Sequence, residues 1–421
     1  MGSIFSPRFA VKLNLWAAFL VLAMLLTVPV RSTVVIALLF LYSVVYWVKN
    51  RSAIKLDGYD YIVFACLSGY MISNVPAFIM EDFRFRYFGG PINMVMCIPI
   101  YVVAKHSIRT EDVPRFRDYM EWGLIIGSAG ALVLAMYQTQ WLGMRRADGF
   151  LFSINFGYLA SALTFLSLTM VRGSKRKGLL LFASLFGAVA VLLTLTRGAI
   201  FALPLLFFLS LFMNLKKIGV TKVLALFSVF IIGSGLVYTL SSSVQNRMKY
   251  TVEEVIHIVS GDVEDATSSG ARLYMWLAAY EAFRERPLIG LTYTEREALN
   301  RELYEQGRNI HEVAVSSRGH AHSQYFENLA TGGLIGILAV FGYLLLPGIY
   351  HIRCYYRDRT NHYSMVAAVF CAGFALYCLT EVALQQEMIN AFYAYLNVLL
   401  LIFSLRHQQD KESSVREVAY A

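Results

Sequence analysis

The strongest constraint on this chain is a series of apolar runs, each near the length that crosses a bilayer. They fall near 13–30, 33–48, 59–79, 87–104, 122–141, 149–171, 179–196, 198–214, 221–241, 327–350, 364–382 and 389–405. A membrane helix needs about 20 mostly apolar residues, and only helices or closed barrels satisfy their own backbone inside lipid. The composition agrees: 57% of the side chains are hydrophobic and 15% are charged, where a soluble domain carries about a quarter charged residues. The runs predict an all-α polytopic membrane protein with about twelve transmembrane helices. The first run follows Arg8 and Lys12 as a signal peptide would, yet "TVPVRS" lacks a small-x-small cleavage pattern and another run follows at once. It is expected to stay as the first span.

The basic residues set the orientation. Lys49, Arg51 and Lys55 follow the second run; Lys105, Arg109, Arg115 and Arg117 the fourth; Arg172, Lys175, Arg176 and Lys177 the sixth. Lys216, Lys217 and Lys222 follow the eighth, Arg353, Arg357 and Arg359 the tenth, and Arg406 the twelfth. Every second short loop is basic, which the positive-inside rule assigns to the cytoplasm. The net charge of +9 therefore belongs to topology, and no nucleic acid partner is expected. The organisation that follows is transmembrane helices 1–9 within 1–241, an external segment at 242–319, helices 10–12 within 320–405 and a cytoplasmic tail at 406–421. The stretch 179–214 is too long for one span and has basic clusters at both ends, so it must cross an even number of times. Two short helices with a turn at "LTRGA" satisfy this, with Gly198 permitting the reversal and Arg197 at the external turn.

Within the external segment, "SSGARLYMWLAAYEAFRERPLIG" reads as an amphipathic helix over about 271–286. Ser268 or Ser269 can cap its start and Pro287 stops it. Leu273, Trp276, Leu277 and Tyr280 share one face, which can lie on the membrane surface or on the helix bundle. The five cysteines have no metal-ligand spacing and fall mostly in apolar runs, so no disulfide is expected.

The residues able to carry chemistry are mostly external cations. Arg197 lies between two apolar runs, where a charge is costly and is either functional or snorkels to headgroups. Arg272 opens the amphipathic helix, where free N–H groups and the helix dipole favour an anion. Arg146, Arg84 and Arg86 stand just outside spans. Together they suit an anionic lipid headgroup, a diphosphate in particular. The pair His320 and His322 in "RGHAHSQYFENLATGGLIG" can be read in two ways. On a strand both rings point one way and suit a metal, with His311 or His257 as a third ligand. On a helix they face apart and only one enters a site; since "HSQYFENLATGG" runs straight into a span, the helical reading is preferred for His322. A neutral imidazole there can take a proton from a hydroxyl. The acidic stretches Glu81–Asp82 and Asp262, Glu264 and Asp265 contain no Asp-x-Asp and read as solvated, so no metal is expected. There is no Walker loop, no dinucleotide loop after a strand and no Gly-x-Ser-x-Gly, and so no cofactor is expected.

"LTLTRGAIFALP", "SGARLYMWLAAYEAFRERPLIG" and "HAHSQYFENLATGGLIG" occur in that order on the external side. This resembles the O-antigen ligase and polymerase superfamily, with its Thr/Ser-Arg-Gly turn, its arginine-led helix ending in Pro-Leu-x-Gly and its His-Asn/Ser start to a late span. "RRADGFLFSINFGYLA" is similar to that family's Arg-x-x-Gly-x-x-x-x-x-Asn stretch and adds Asn155. The motifs cover about 145–340, and the earlier spans match in hydropathy only. Ser323 stands where Asn is common, and His320 precedes the motif histidine.

The resemblance implies a GT-C-like glycosyltransferase architecture in a Gram-negative inner membrane, with its active site on the periplasmic face and the protein a monomer or weak oligomer. It implies transfer of O-antigen from undecaprenyl diphosphate to a sugar hydroxyl of lipid A–core, with inversion. His322 would act as base, Arg197 and Arg272 would hold the diphosphate, and Arg146, Arg84, Arg86, His320 and Asn155 would contact substrate. An O-antigen polymerase, whose acceptor is also lipid-linked, is the nearest alternative. A lipid-linked sugar transporter is the alternative from another class, but transporters commonly show paired repeats and none is visible.

Overall fold

A computed structural model describes residues 4–215, 219–240, 242–260, 267–308, 311–317 and 319–420, and all regular structure among them is helical. The first nine helices are α1 (Pro7–Met24), α2 (Arg31–Lys49), α3 (Gly58–Ser73), α4 (Val75–Met80), α5 (Pro91–Ser107), α6 (Val113–Met136), α7 (Phe152–Met170), α8 (Lys177–Leu193) and α9 (Arg197–Met213). Then come α10 (Val220–Leu240), α11 (Ser242–Ser260), α12 (Thr267–Glu285), α13 (Tyr293–Glu305), α14 (Glu312–Ser316), α15 (Gln324–Val340), α16 (Leu346–Arg357), α17 (His362–Thr380) and α18 (Glu387–Tyr420).

Every apolar run has become helical. Among the described residues, 8 helical stretches are long and apolar enough to cross a membrane: Pro7–Met24, Arg31–Lys49, Gly58–Met80, Thr110–Trp141, Phe152–Met170, Gln324–Arg357, His362–Thr380 and Glu387–Ser413. The other runs are α5, α8, α9 and α10. The first three have 17 residues each, about 25 Å of helix at 1.5 Å per residue, against a hydrocarbon core of about 30 Å. Eight crossings are thus supported by length and composition, and the count of twelve depends on these four.

Burial sorts the helices. In α18 89% of the apolar window lies inside the protein, against 22% in the stretch through α3 and α4. A helix apolar on all sides is a central one, and α18 packs on α2, α5 and α17. Charges cluster at the end of the bundle that carries the basic loops. There the buried Glu121 receives Arg117 at 2.9 Å and Arg176 at 3.1 Å, and Lys105 reaches Asp60 at 2.6 Å.

The segment between α10 and α15 forms the helices α11 to α14. The amphipathic helix α12 begins at Thr267, earlier than the expected 271, and Pro287 lies just past its end. Its apolar face packs on α15 rather than on a membrane surface: Trp276 stacks on Phe326 with ring centroids 4.9 Å apart. Ser269 does not cap the helix from outside; it lies within it, and its hydroxyl donates to Glu254 at 2.9 Å. The acidic residues Asp262, Glu264 and Asp265 lie outside the described residues.

The "PLIG" loop after α12 docks into a break in α15. At Gly333 the backbone turns left-handed (φ 57), and the N–H groups of Leu334 and Ile335 donate to Pro287 O and Leu288 O at 2.8 and 3.3 Å. In return Leu291 N donates to Ala330 O at 2.8 Å. The two chains meet so closely that a Cβ on Gly333 would stand 2.4 Å from Pro287 O, and one on Gly290 would stand 2.4 Å from the Thr331 carbonyl carbon. Both glycines also have positive φ, so no other residue fits either place without strain. The exchange satisfies the carbonyls and amides that the break frees, and it fixes the end of α12 and the start of α13 against α15.

Candidate active site

The site is assembled where the α8–α9 turn, α12, the loop before α15 and the end of α17 converge. The reversal between α8 and α9 is tight because its backbone is tied at each step. Thr196 N donates to Thr194 Oγ1 at 3.2 Å, and Thr196 Oγ1 donates to Ser153 O on α7 at 2.9 Å. Gly198 is not what permits the turn; the left-handed residue is Leu195, at φ 52. Gly198 is needed for packing, since a Cβ there would meet Thr380 Oγ1 at 2.5 Å and Tyr158 Oη at 2.8 Å. The turn therefore sits directly on the end of α17.

Arg197, the first residue of α9, is not free. It pairs with the buried Glu254 of α11, donates to Ser269 Oγ at 3.3 Å and lies 4.9 Å from the Tyr250 ring centroid. Arg272 differs. It is partly buried inside α12, not at its first turn, and forms no ion pair among the described residues. Its charge is felt by Tyr158, whose hydroxyl shares a 2.8 Å hydrogen bond with Thr380.

The histidines lie before α15 and not on it. Ser323 is the N-cap and His322 has a left-handed backbone, φ 46. The helical spacing argument thus does not apply, and both rings face the same carboxylate. His322 Nδ1 is 3.0 Å from Glu381 Oε2, and His320 Nε2 is 3.9 Å from Glu381 Oε1. Glu381 caps the end of α17, one residue after Thr380. Burial alone would raise its pKa, but the hydrogen bond and charge of His322 bring it below the ordinary carboxylate value.

These contacts assign the protons. His320 Nδ1 accepts the His322 backbone N–H at 3.2 Å, so a neutral His320 carries its hydrogen on Nε2. Burial, the largest influence, also holds His320 below its ordinary value; Glu327 and Glu381 only partly offset it. An ionised carboxylate can only accept, so His322 Nδ1 donates to Glu381, and the lone pair of His322 is on Nε2.

The loop is held from below by a pair that sequence reasoning missed. Arg296 of α13 donates to Glu327 at 2.7 Å, to Thr331 Oγ1 at 2.8 Å and to Gly319 O. Glu327 accepts the Ala321 N–H, between the two histidines, at 2.8 Å. Arg296 and Glu327 are 2% and 3% exposed, and breaking so deeply buried a pair leaves an uncompensated charge. No pattern in the sequence marked Arg296 or Glu381: each reads as one more charge beside a span.

The remaining candidates are dispersed. Arg86 pairs with Glu81 and lies 4.8 Å from the Tyr293 ring centroid. Glu81 in turn accepts the Thr294 N–H at 3.0 Å, so Arg86 anchors α13. Arg84 is exposed, and Arg146 sits 3.6 Å from Asp148 on the loop before α7. Asn155 is partly buried on α7, one turn before Tyr158. Of the proposed third ligands, His311 stacks on Tyr274 at 4.6 Å and caps α14, and His257 is on α11. The group that completes a possible metal triad is Glu381, its ligand atoms and those of His320 and His322 lying within 4.8 Å of one another.

A protein from Haemophilus influenzae described as uncharacterized is 20% identical over 365 residues, covering 83% of this chain and 88% of that one. The family model described as O-antigen ligase matches residues 182–341. That span holds Arg197, Arg272, the "PLIG" loop, Arg296, His320, His322 and Glu327, and over it the chain is similar to the O-antigen ligase family.

Proposed function

We propose that this chain is an O-antigen ligase of a Gram-negative inner membrane, working on the periplasmic face. It transfers a glycan from undecaprenyl diphosphate to a sugar hydroxyl of lipid A–core. The observation that carries the reading is the Glu381–His322 hydrogen bond, which leaves Nε2 as a base. The acceptor hydroxyl gives its proton to His322 Nε2 as its oxygen attacks the anomeric carbon. The bond from that carbon to the diphosphate breaks, undecaprenyl diphosphate leaves with the electron pair, and direct displacement inverts the anomeric centre. Glu381 holds the ring and steadies the imidazolium as it forms, the role of the acid in a Ser-His-Asp triad.

The diphosphate is held by Arg272 and Arg197 without a metal. Arg197 must share its guanidinium with Glu254, so Arg272 supplies the larger part of the charge stabilisation. Of the remaining candidates, Asn155 stands on α7 one turn before Tyr158 and would line the donor side. His320 fixes the loop, accepting the His322 N–H, and is not the base. Residues 1–241 and 320–405 form the membrane body around the external segment 242–319, and 406–421 is a cytoplasmic tail. The motifs fit a polymerase equally in the core; the acceptor separates the two.

Purified protein incubated with undecaprenyl-diphosphate glycan and lipid A–core, without nucleotide, should yield the joined product. His322→Ala should abolish transfer while donor binding persists, and His320→Ala should be milder. Elongation of the lipid-linked glycan with no transfer to lipid A–core would assign the polymerase instead. Transport with no transfer would sink both.

A further inference from the structure

We infer that the protein binds an anionic phospholipid in a wedge between α8 and α9, at the end of the bundle opposite His322. The two helices share the tight turn at Arg197 but seat on different neighbours. α8 packs on α6 and α7, and α9 packs on α7 and α17. They splay from the turn and leave an opening of about 380 Å³. Leu181, Phe207 and Leu211 wall it, and Leu168 and Met365 line it further.

The wall is apolar even where its residues are not. Thr169 Oγ1 donates back to Phe165 O at 2.6 Å and Ser210 Oγ to Leu206 O at 2.7 Å, so neither hydroxyl is offered to the opening. An apolar slot of this kind within a membrane takes an acyl chain.

The charge at its mouth selects the headgroup. Arg172 lines the wedge, and its Nη1 is buried with no hydrogen-bond partner. A buried guanidinium donor without an acceptor is costly. The neighbouring carboxylates are taken: Glu121 by Arg117 and Arg176, Asp118 by Arg176 at 2.8 Å. Lys175 and Lys177 are exposed beside the same mouth. A phosphodiester bearing net negative charge supplies the missing acceptor, and basic pockets between membrane helices suit such headgroups.

The test is lipid retention by native mass spectrometry after delipidation and re-addition of phosphatidylglycerol or phosphatidylcholine. Wild type should retain phosphatidylglycerol in preference. Arg172→Gln should weaken that retention about fivefold, the usual effect of one cation near an anionic surface. Arg109→Gln, an exposed arginine at the same end with a side chain 76% exposed, should not. Leu181→Trp, which fills the wedge and keeps Arg172, should also lose the lipid, and a melting curve for each variant separates misfolding from lost binding. Equal retention of the two lipids overturns the inference, as does unchanged retention in folded Arg172→Gln. So does full retention in folded Leu181→Trp.

Discussion

Replacing Glu381 by Gln tests the site most directly, because it removes a charge and little else. Gln keeps the size of the side chain, and its carbonyl can still accept from His322 Nδ1, so the ring stays in place. What is lost is the negative charge that meets the imidazolium as the proton arrives. A hydrogen bond to a charged group is worth about 1.5–3 kcal/mol, or about 10- to 150-fold in rate. The Glu381 side chain is 12% exposed but that of His322 is 37%, so solvent screens part of the interaction. The lower part of the range applies, about 10- to 30-fold in turnover. Donor affinity should not change, since Glu381 faces the base and not the diphosphate. The assay is initial-rate transfer at saturating donor and acceptor, beside a separate donor-binding measurement. Because the two residues act as one unit, His322→Ala with Glu381→Gln should be no slower than His322→Ala alone. Turnover of Glu381→Gln equal to wild type would refute the dyad, and so would a double variant slower by the product of the single effects.

The two arginines should separate. Arg272→Ala should weaken donor binding and transfer more than Arg197→Ala, since Arg197 already has Glu254, and Arg272→Lys should recover part of the loss because it keeps charge without the bidentate fork; binding equal in both Ala variants would contradict this. Transfer should survive EDTA, and loss restored by a divalent ion would instead make His320, His322 and Glu381 ligands. Acid should loosen α13. Glu295 and Glu81 are both held below their ordinary value of 4.5: burial opposes this, but hydrogen bonds from Arg286 and Thr292 to Glu295, and from Thr294 and Arg86 to Glu81, outweigh it. A depressed folded pKa gives stability that is present above the unfolded value and lost as pH falls through the folded one. Melting temperature should therefore drop below about pH 4.5, and Glu295→Gln should flatten that dependence. In sealed cells with a cysteine-free background, external reagent should label Asp265→Cys and miss Lys175→Cys; labelling at 175 would invert the topology.

The helical, membrane-spanning character was legible in the sequence because it rests on local physics. An apolar stretch of sufficient length has to be a helix in lipid, whatever surrounds it. The break at Gly333 was not legible, although both "PLIG" and "TGG" were visible as motifs. Their relation is a set of hydrogen bonds between Pro287–Leu291 and Ala330–Ile335, about 45 residues apart in the chain, and no periodicity encodes it.

The chemistry divides the same way. Arg197, Arg272 and His322 could be singled out because charges and imidazoles beside apolar runs are rare enough to notice. What each one does depends on partners from distant parts of the chain. Glu254 pairs with Arg197 and leaves Arg272 as the less encumbered cation. Glu381, 59 residues beyond His322, fixes which histidine nitrogen holds the proton. The sequence expected His322 on a helix with its ring turned away from His320. The fold instead put both in a strained loop, held by Arg296 and Glu327, because the buried pair and the left-handed backbone at His322 outweigh local helix preference. By itself the sequence determined which residues stand at the ends of apolar helices. Only the tertiary structure decided which of them are free to act, since a charge is neutralised or exposed by whatever packs against it.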